Sequence, residues 1–304
     1  MKLVSFSHSN SPARAGVLLD SPELAGGCEF MGLLWSDIDG SGPGDLSYIA
    51  PAGYPTTLDI IAAGRSKEQM RESMIHTHPF FRRADCTLHA PLANPPRIFA
   101  IGLNYRDHAA EAKMMLPSAP VVFFKMQTAV IGPGDAIVLP RNSTEPDYEA
   151  ELAFVIGKGG YRIPASAWRE HVYGYTIVND VSARDVQRAT SQWSLAKSFP
   201  TYCPMGPAIV TADEIADPHQ LAISLSIDGE TLQDSNTREL IFKIPELVEY
   251  ISSITPLLPG DIVSTGTPSG VGMGRKPPRW LKPGETVTVA IEGLGSLTNP
   301  VVAE

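Results

Sequence analysis

Two glutamates stand one residue apart within residues 148–157, a segment whose pattern predicts a β-strand. Because side chains along a strand alternate between its two faces, Glu149 and Glu151 project to the same side. Like charges held side by side raise the cost of ionising each other, so such a pair binds a cation, shares a proton or lies in water. The apolar residues 154–156 indicate a strand that enters a core, which disfavours water. The spacing leaves a cation site and a solvated strand face open.

A third carboxylate, Asp180, ends the strand-like run 172–180. This position predicts that Asp180 meets the two glutamates across a sheet. Arg184 and Gln187 follow as an i, i+3 pair on a predicted helix that has Ser182 as its N-cap. That helix would present both side chains at the mouth of the same pocket.

His108 and Glu111 stand three residues apart in the alanine-rich segment 104–112, which predicts a helix with Asn104 as its N-cap. On such a helix the two side chains are neighbours on one face. A carboxylate beside a histidine orients the imidazole and makes it more basic, which suits a general base near neutral pH. The alternative is a surface pair on an exposed helix, and the local pattern by itself favours that alternative.

Two lysines and a glycine-rich loop complete the candidate residues. Lys197 stands inside the apolar segment 193–200, which is unusual because buried lysines are rare unless they are paired. Lys125 ends the apolar strand 121–125. The loop within 259–272 follows another strand but lacks the lysine and the serine or threonine of a phosphate-binding loop, so its pattern argues against nucleotide binding.

The composition is that of a globular protein, with 304 residues of which 43% are hydrophobic and 19% charged. A net charge of -9 argues against nucleic-acid binding, although focused basic side chains can still hold a small anion. No apolar run approaches the roughly 20 residues that cross a bilayer, and the first residues lack the apolar core of a signal peptide. Cys28, Cys86 and Cys203 are too scattered for a disulfide framework or a zinc site, so a reducing, cytoplasmic location is expected.

The proline-rich segment 91–96 predicts a division into a small leading domain, residues 1–90, and a larger domain, residues 91–304. In the leading domain we expect strands at 2–6 and 16–19, a surface loop rather than a calcium site at 37–53, and a helix at 58–74. His76 and His78 have no carboxylate nearby in sequence, so a metal site there is disfavoured. In the larger domain we expect strands at 97–102, 121–125, 136–140 and 172–180, a hairpin at Asp228 and Gly229, a helix at 244–254 with Pro245 in its first turn, and a closing hairpin at 285–291 and 295–302.

Five short motifs of the larger domain occur in one order: residues 102–108 (GLNYRDH), 149–151 (EAE), 179–187 (NDVSARDVQ), 196–199 (AKSF), and 260–263 (GDIV) with 265–268 (TGTP). With these motifs the chain resembles the fumarylacetoacetate hydrolase family from about residue 97 to the C-terminus. The five together are far more specific than any one of them. The resemblance implies an α+β fold that is mostly β, a mixed β-roll with a smaller N-terminal domain, and assembly as a homodimer.

The resemblance also implies a divalent metal held by three carboxylates, which by motif are Glu149, Glu151 and Asp180. Oxygen ligands alone suit Mg2+ or Mn2+, or Ca2+ in a crystal, better than zinc. Three protein ligands leave positions for water and for a chelating 2-oxo acid. By the same motifs the catalytic residues are His108, Glu111 and Lys197, with the first two forming a base dyad on a lid segment. Substrate contacts are implied for Arg184, Gln187, Thr267 and Lys125.

Family members of this kind act on acylpyruvates and related 2-oxo acids through an enolate beside the metal. The expected function is metal-dependent hydrolysis of a carbon–carbon bond in an acylpyruvate-type 2,4-dioxo acid, with His108 activating the attacking water. The expected partner is thus a small anionic 2-oxo acid, with no role for nucleic acid or membrane. Decarboxylation of oxaloacetate and isomerisation or hydration of a related 2-oxo acid remain alternatives. A non-catalytic metal-binding scaffold is a further alternative, which the dyad argues against because binding alone needs no base.

Overall fold

The computed structural model describes residues 1–8, 12–18, 30–32, 56–64, 80–82, 85–111 and 115–304. Strands predominate in this part of the chain, so the prediction of an α+β protein that is mostly β is confirmed. The strands are β1 (Lys2–His8), β2 (Arg14–Leu18), β3 (Phe30–Gly32), β4 (Phe80–Phe81), β5 (Cys86–His89), β6 (Ile98–Gly102), β7 (Val121–Lys125), β8 (Val130–Ile131), β9 (Ile137–Leu139), β10 (Pro146–Asp147), β11 (Ala150–Ile156), β12 (Val172–Asn179), β13 (Ser182–Ala183), β14 (Cys203–Thr211), β15 (Ala222–Ile227), β16 (Glu230–Asn236), β17 (Ile262–Ser264), β18 (Thr286–Ile291) and β19 (Gly295–Ala303). The α-helices are α1 (Thr57–Ala62), α2 (Arg106–Glu111), α3 (Trp168–His171), α4 (Arg184–Ala189) and α5 (Ile244–Ile254).

The described strands form one large mixed sheet and two smaller sheets. The large sheet runs in the order β4-β3-β2-β1-β14-β12-β11-β17-β6-β7, with β5 beside β1 and β8 beside β14. A five-stranded sheet has the order β16-β15-β18-β19-β9, and β10 pairs with β13. The pair β17–β6 is parallel, so both strands end at the same edge of the large sheet. The segments that follow them, which carry Thr267 and His108, therefore leave the sheet side by side.

Strand β11 lies between β12 and β17 and is buried along its whole length. On one face, Leu152 and Phe154 pack in a core with helix α5 and the five-stranded sheet. On the other face, Ala153 and Val155 pack in a second core with β1, β2 and α1. Because Glu151 shares the face of Ala153, its carboxylate enters the protein and is only 2% exposed. The alternative of a solvated strand face is therefore excluded.

The described parts of residues 1–90 extend the same large sheet. Strand β1 is antiparallel to β14, with Lys2 opposite Val210 and Leu3 opposite Ile209. Helix α1 begins at Thr57, one residue before the predicted start, with Thr56 as a capping-box N-cap. It ends at Ala62 and gives way to a turn at residues 63 and 64, so the predicted continuous helix 58–74 is wrong in its extent. The remaining predictions for this region, the loop at 37–53, the helix beyond residue 64 and the pair His76 and His78, lie outside the described residues. The domain boundary near residue 90 stays a prediction.

The larger domain follows its predicted pattern closely. Helix α5 has the predicted bounds with proline in its first turn, and β15–β16 and β18–β19 are the predicted hairpins. Two predicted helix caps are wrong. Ser182 lies in β13 and donates its hydroxyl to Asp180 O at 2.9 Å, so α4 begins after Ala183 without a side-chain cap. The Asn104 side chain bonds the backbone of Phe242 and Thr265 instead of capping α2.

A partly buried ion pair joins the starts of β6 and β17. Arg97 Nε donates to Asp261 Oδ1 at 3.0 Å, and a second guanidinium nitrogen bonds Oδ2. Asp261 is fully buried, and its Oδ2 also accepts the Leu258 N–H at 2.7 Å. The pair fixes the parallel strands whose far ends lead into the site described below.

Replacing Arg97 should therefore destabilise the fold. We expect Arg97→Ala to lower the free energy of unfolding by about 3 kcal/mol, because it leaves the Asp261 carboxylate buried without its cation. Urea unfolding followed by circular dichroism measures this change. The matched control is Lys158→Ala, which breaks an exposed pair with Glu170 and should change stability by less than about 0.5 kcal/mol. Equal effects of the two substitutions would contradict a buried role for Arg97.

Candidate active site

Three buried carboxylates meet where β11 begins and β12 ends. Glu149 immediately precedes β11, Glu151 lies within it, and Asp180 immediately follows β12. The register pairs Ala150 with Asn179, and the Asp180 N–H donates to Glu149 O at 2.9 Å. One oxygen from each of the three carboxylates lies within 4.8 Å of the others. The predicted meeting of Asp180 with the two glutamates is thus present.

Three buried cations neutralise two of these carboxylates. Lys197 Nζ lies 2.6 Å from Glu149 Oε2 and 2.7 Å from Asp180 Oδ2. Lys125 Nζ lies 2.6 Å from Asp180 Oδ1, and Arg184 lies 2.5 Å from Glu149 Oε1. Among the described residues Glu151 has no such partner, and its two hydrogen bonds come from neutral groups.

Those neutral groups are the Ser264 hydroxyl at 2.5 Å and the Gly266 N–H at 3.0 Å, and both donate to Glu151 Oε2. Burial and the charges of Asp180 and Glu149 raise the pKa of the Glu151 carboxyl well above its usual range. Burial also raises the pKa of Glu149, but Arg184 and Lys197 outweigh it and hold the value at about 2. The cluster therefore keeps one carboxyl that favours a proton or a bound cation.

The donor set fits a divalent metal. All three side chains offer hard carboxylate oxygens, and Glu151 Oε1 takes part in none of the hydrogen bonds of the cluster. A cation placed among them would relieve the repulsion that raises the pKa of Glu151. Glu149, Glu151 and Asp180 can therefore bind a divalent ion, which would supply Lewis-acid chemistry at this position.

His108 on α2 lines the same cavity, and Glu111 on the same helix is its neighbour. His108 Nδ1 lies 3.3 Å from Glu111 Oε2, and the Gly270 N–H donates to both Glu111 oxygens at 3.1 and 3.2 Å. Burial raises the pKa of Glu111, but the bonds from His108 and Gly270 outweigh it, so the pKa is lowered. A Cβ on Gly274 would lie 2.7 Å from the Glu111 carboxyl carbon, so the loop approaches closely only because it has glycine there. Glu111 is thus held by this loop although it is exposed, whereas His108 beside it is buried.

A cavity of about 400 Å3 joins these groups. Its polar lining comes from His108, Glu149, Glu151, Arg184, Gln187, Arg188, Thr190, Lys197 and Thr267. Lys125 is buried behind the carboxylates, bonded to Asp180 and to Lys197 O, and is not among the lining residues. Its substrate contact stays a prediction.

Aromatic side chains that sequence reasoning did not single out form an apolar wall of this cavity. Trp193 and Phe123 pack edge to face with ring centroids 5.7 Å apart, and Lys197 Nζ lies 5.2 Å from the Phe123 centroid. A Cβ on Gly102 would lie 2.3 Å from the Trp193 ring, so the indole rests directly on the backbone of Gly102. The wall keeps water from one side of the Lys197 ammonium.

Asp147 is a further buried carboxylate that sequence reasoning missed. Its Oδ2 accepts from Arg184 Nε at 2.8 Å and from Met273 N at 3.0 Å, and its Oδ1 accepts from Gly272 N at 2.7 Å. Asp147 thereby connects the guanidinium that holds Glu149 to the loop that holds Glu111. The signal was available, because Asp147, Glu149 and Glu151 continue one alternation along the chain.

The fold and the cluster together define a mixed β-sheet protein with three buried carboxylates that could bind a divalent metal. The family model described as fumarylacetoacetate (FAA) hydrolase C-terminal matches residues 97–302. The chain belongs to the fumarylacetoacetate hydrolase family, and the expected family fold is confirmed.

Curated relatives match nearly the whole chain. The mitochondrial oxaloacetate tautomerase FAHD2A of Bos taurus is 42% identical over 289 residues, covering 94% of this chain and 91% of the relative. The fumarylacetoacetate hydrolase domain-containing protein 2 homolog of Dictyostelium discoideum is 47% identical over 228 residues, covering 71% of this chain and 74% of the relative.

Solved structures share the fold over the full length. Fumarylacetoacetate hydrolase from Exiguobacterium antarcticum superposes with a TM-score of 0.82 at 31% identity, covering 100% of both chains. 5-Carboxymethyl-2-hydroxymuconate delta-isomerase from Mycobacterium smegmatis superposes with a TM-score of 0.74 at 33% identity, covering 100% of this chain and 99% of that chain. Among the described residues, no helix is long and apolar enough to cross a membrane.

Metal binding should stabilise the protein through Glu151. We expect Mg2+ to raise the unfolding temperature of EDTA-stripped protein and to have little effect on Glu151→Gln, which lacks the charged ligand. Without metal, Glu151→Gln should unfold at or above the temperature of the unsubstituted protein, because glutamine still accepts from Ser264 and Gly266 and removes the repulsion. Differential scanning calorimetry measures both effects, with the exposed change Glu170→Gln as control. An undiminished Mg2+ effect in Glu151→Gln would contradict the assignment.

Removing the negative charge of Asp147 should weaken metal binding at the same site. Both Asp147 oxygens accept from N–H groups, so in Asp147→Asn the amide nitrogen must face a donor on one side. The position of Arg184 is then no longer fixed, and the orientation of the Glu149 carboxylate that Arg184 bonds is lost with it. We expect Mn2+ affinity to fall about 10- to 100-fold, the usual effect of losing a group that orients metal ligands. Isothermal titration calorimetry gives the affinity. Asp185→Asn, on the same helix as Arg184 but outside the cluster, should leave it unchanged.

Proposed function

We propose that this protein is a divalent-metal-dependent tautomerase that interconverts the enol and keto forms of oxaloacetate. The observation that carries the proposal is the lining of one cavity by Glu149 and Glu151 together with His108, whose Nδ1 lies 3.3 Å from Glu111 Oε2. Relatives about 42% identical over nearly the whole chain are named oxaloacetate tautomerases, which supports the choice of substrate. The reaction moves one proton between the enol oxygen and the adjacent carbon and breaks no carbon–carbon bond.

The chain's own residues supply the binding of the anion. Oxaloacetate carries two carboxylates, and Arg184 and Lys197 bring positive charge to the cavity wall. Gln187 is held by Arg184, whose Nη1 donates to Gln187 Oε1 at 2.9 Å, so its amide N–H groups remain free to donate to the ligand. The Trp193–Phe123 wall excludes water and so strengthens these interactions.

The dyad supplies the proton transfer. The pKa of Glu111 is lowered, so its carboxylate accepts hydrogen bonds and His108 Nδ1 must carry the proton of their contact. Nε2 of His108 is then the atom that takes the proton from the substrate carbon and delivers it to the oxygen to form the enol, and the reverse transfer from oxygen to carbon forms the keto acid. His108 is only 8% exposed, so this exchange takes place away from bulk water.

Mg2+ or Mn2+ is the metal that the oxygen ligands favour, with Ca2+ as a substitute. When bound at Glu149, Glu151 and Asp180, the ion would withdraw electron density from the keto group and lower the cost of the enolate. A cytoplasmic location and a homodimeric assembly stay predictions from sequence. The vertebrate relatives carry names that place those proteins in mitochondria.

The direct test follows ketonisation of freshly dissolved enol-oxaloacetate by its ultraviolet absorbance. We expect the protein with Mg2+ to accelerate the reaction beyond Mg2+ alone and EDTA to abolish the acceleration. His108→Asn should lower kcat by about a hundredfold or more, because it removes the proton carrier. The control His89→Asn changes a histidine on β5 outside the site and should leave kcat unchanged. Undiminished turnover after complete metal removal would refute the proposed mechanism.

Hydrolysis of an acylpyruvate is the second candidate, because a base at His108 Nε2 could also activate water for attack on a carbonyl. Decarboxylation of oxaloacetate would use the same enolate. Product analysis separates the three reactions: pyruvate with a carboxylic acid indicates hydrolysis, and carbon dioxide with pyruvate indicates decarboxylation. Ligand binding without turnover of any of these substrates would favour the non-catalytic scaffold.

A further inference from the structure

We infer that Gln233 is a positioning residue that fixes the direction of the Thr267 hydroxyl, so that Thr267 donates its proton to an anionic ligand in the cavity. The inference deepens the proposed function, on which it rests for the ligand being a 2-oxo acid. Gln233 belongs to β16 in the five-stranded sheet, is 1% exposed and does not line the cavity. It would act on the ligand only through Thr267.

The orientation of the Gln233 amide is determined by two backbone groups. Its Oε1 accepts the Ala150 N–H at 2.9 Å, and its Nε2 donates to Pro268 O at 2.9 Å. A backbone N–H can only donate and a carbonyl oxygen can only accept, so exchanging the amide's nitrogen and oxygen would break both bonds. The second N–H of the amide then points to Thr267 Oγ1, also at 2.9 Å.

This contact decides what the threonine hydroxyl can do. A hydroxyl has one proton to donate and two lone pairs that accept. Because Gln233 is the donor, Thr267 Oγ1 accepts, and its own proton must point elsewhere. Among the described residues it has no acceptor for that proton, and Thr267 lines the cavity beside Glu149, Arg184 and Lys197. Thr267 is thus a neutral hydrogen-bond donor that is available to an anionic ligand. A further cation at this position would instead pair with the carboxylates of the cluster.

The Gln233 amide also supports the carboxylate cluster. Ala150, whose N–H it accepts, lies between Glu149 and Glu151 on β11. Gln233, from the five-stranded sheet, therefore fixes the distance between the Thr267 hydroxyl and the carboxylates of Glu149 and Glu151. A purely structural role would explain the bonds to Ala150 and Pro268 but would assign no function to the bond with Thr267.

Oxalate is the probe, because it has the planar pair of oxygens of a 2-oxo acid and undergoes no turnover. Its affinity is measured by isothermal titration calorimetry in saturating Mg2+ for the unsubstituted protein, Thr267→Val, Gln233→Glu and the double variant. We expect Thr267→Val to weaken oxalate binding about tenfold, the effect of losing one hydrogen bond to a charged group. Thr267→Ser keeps the hydroxyl and should bind oxalate within about twofold of the unsubstituted protein.

The change Gln233→Glu keeps the shape and reverses the polarity at Thr267. An ionised glutamate can only accept, so the threonine proton turns toward it and away from the ligand. Buried carboxyls titrate well above their usual range, so the loss of oxalate affinity should grow as the pH rises and reach about tenfold. In the Thr267→Val background Gln233→Glu should cause no further loss, because there is no hydroxyl to turn.

Two results would overturn the inference. If Gln233→Glu weakens oxalate binding equally in both backgrounds, then charge repulsion or distortion of β11 explains its effect. If it leaves the affinity unchanged, Gln233 does not direct the hydroxyl. Should Gln233→Glu not fold, Gln233→Met replaces it in the same cycle, since a thioether cannot donate to Thr267. Oxalate binding needs no turnover, so these outcomes are independent of which reaction the enzyme catalyses.

Discussion

The site depends on burying more carboxylates than cations in one place. The carboxylates are Asp147, Glu149, Glu151 and Asp180, and the cations are Lys125, Arg184 and Lys197. Among the described residues every one of these carboxylates except Glu151 has a cation in direct contact, so the cluster carries an excess of one negative charge when Glu151 is ionised. A divalent ion turns this into an excess of one positive charge, which favours an anionic ligand. An acidic protein can therefore attract an acidic substrate through local charge alone.

The sequence predicted the groups that local geometry determines. Strand alternation put Glu149 and Glu151 on one face, and the register of β11 with β12 brings Asp180 to them. The helix spacing placed Glu111 beside His108. These predictions needed only the repeat of one element or the pairing of two neighbouring strands, and the structure contains all of these contacts.

Long-range partners could not be predicted in the same way. Ser182 and Asn104 are good caps by residue type, but their polar groups bond Asp180, Phe242 and Thr265 instead. Gln233 lies 83 residues from the strand whose N–H it accepts, and nothing in its own segment indicates that contact. In each case tertiary packing offered a buried backbone group that needed a partner, and such a need outweighs local preference. Asp147 differs, because its alternation with Glu149 and Glu151 is visible in the sequence, although the predicted strand begins only at residue 148.

The parallel pairing of β6 with β17 also determines when the site can form during protein synthesis. Asn104, which follows β6, bonds Thr265, which follows β17, across 161 residues of chain. During synthesis the segment with His108 therefore leaves the ribosome long before the strand that holds it in place. A fragment that ends before β17 therefore lacks both the strand that pairs with β6 and the Thr265 carbonyl that Asn104 bonds. The arrangement of the cavity is complete only once β6 and β17 have paired.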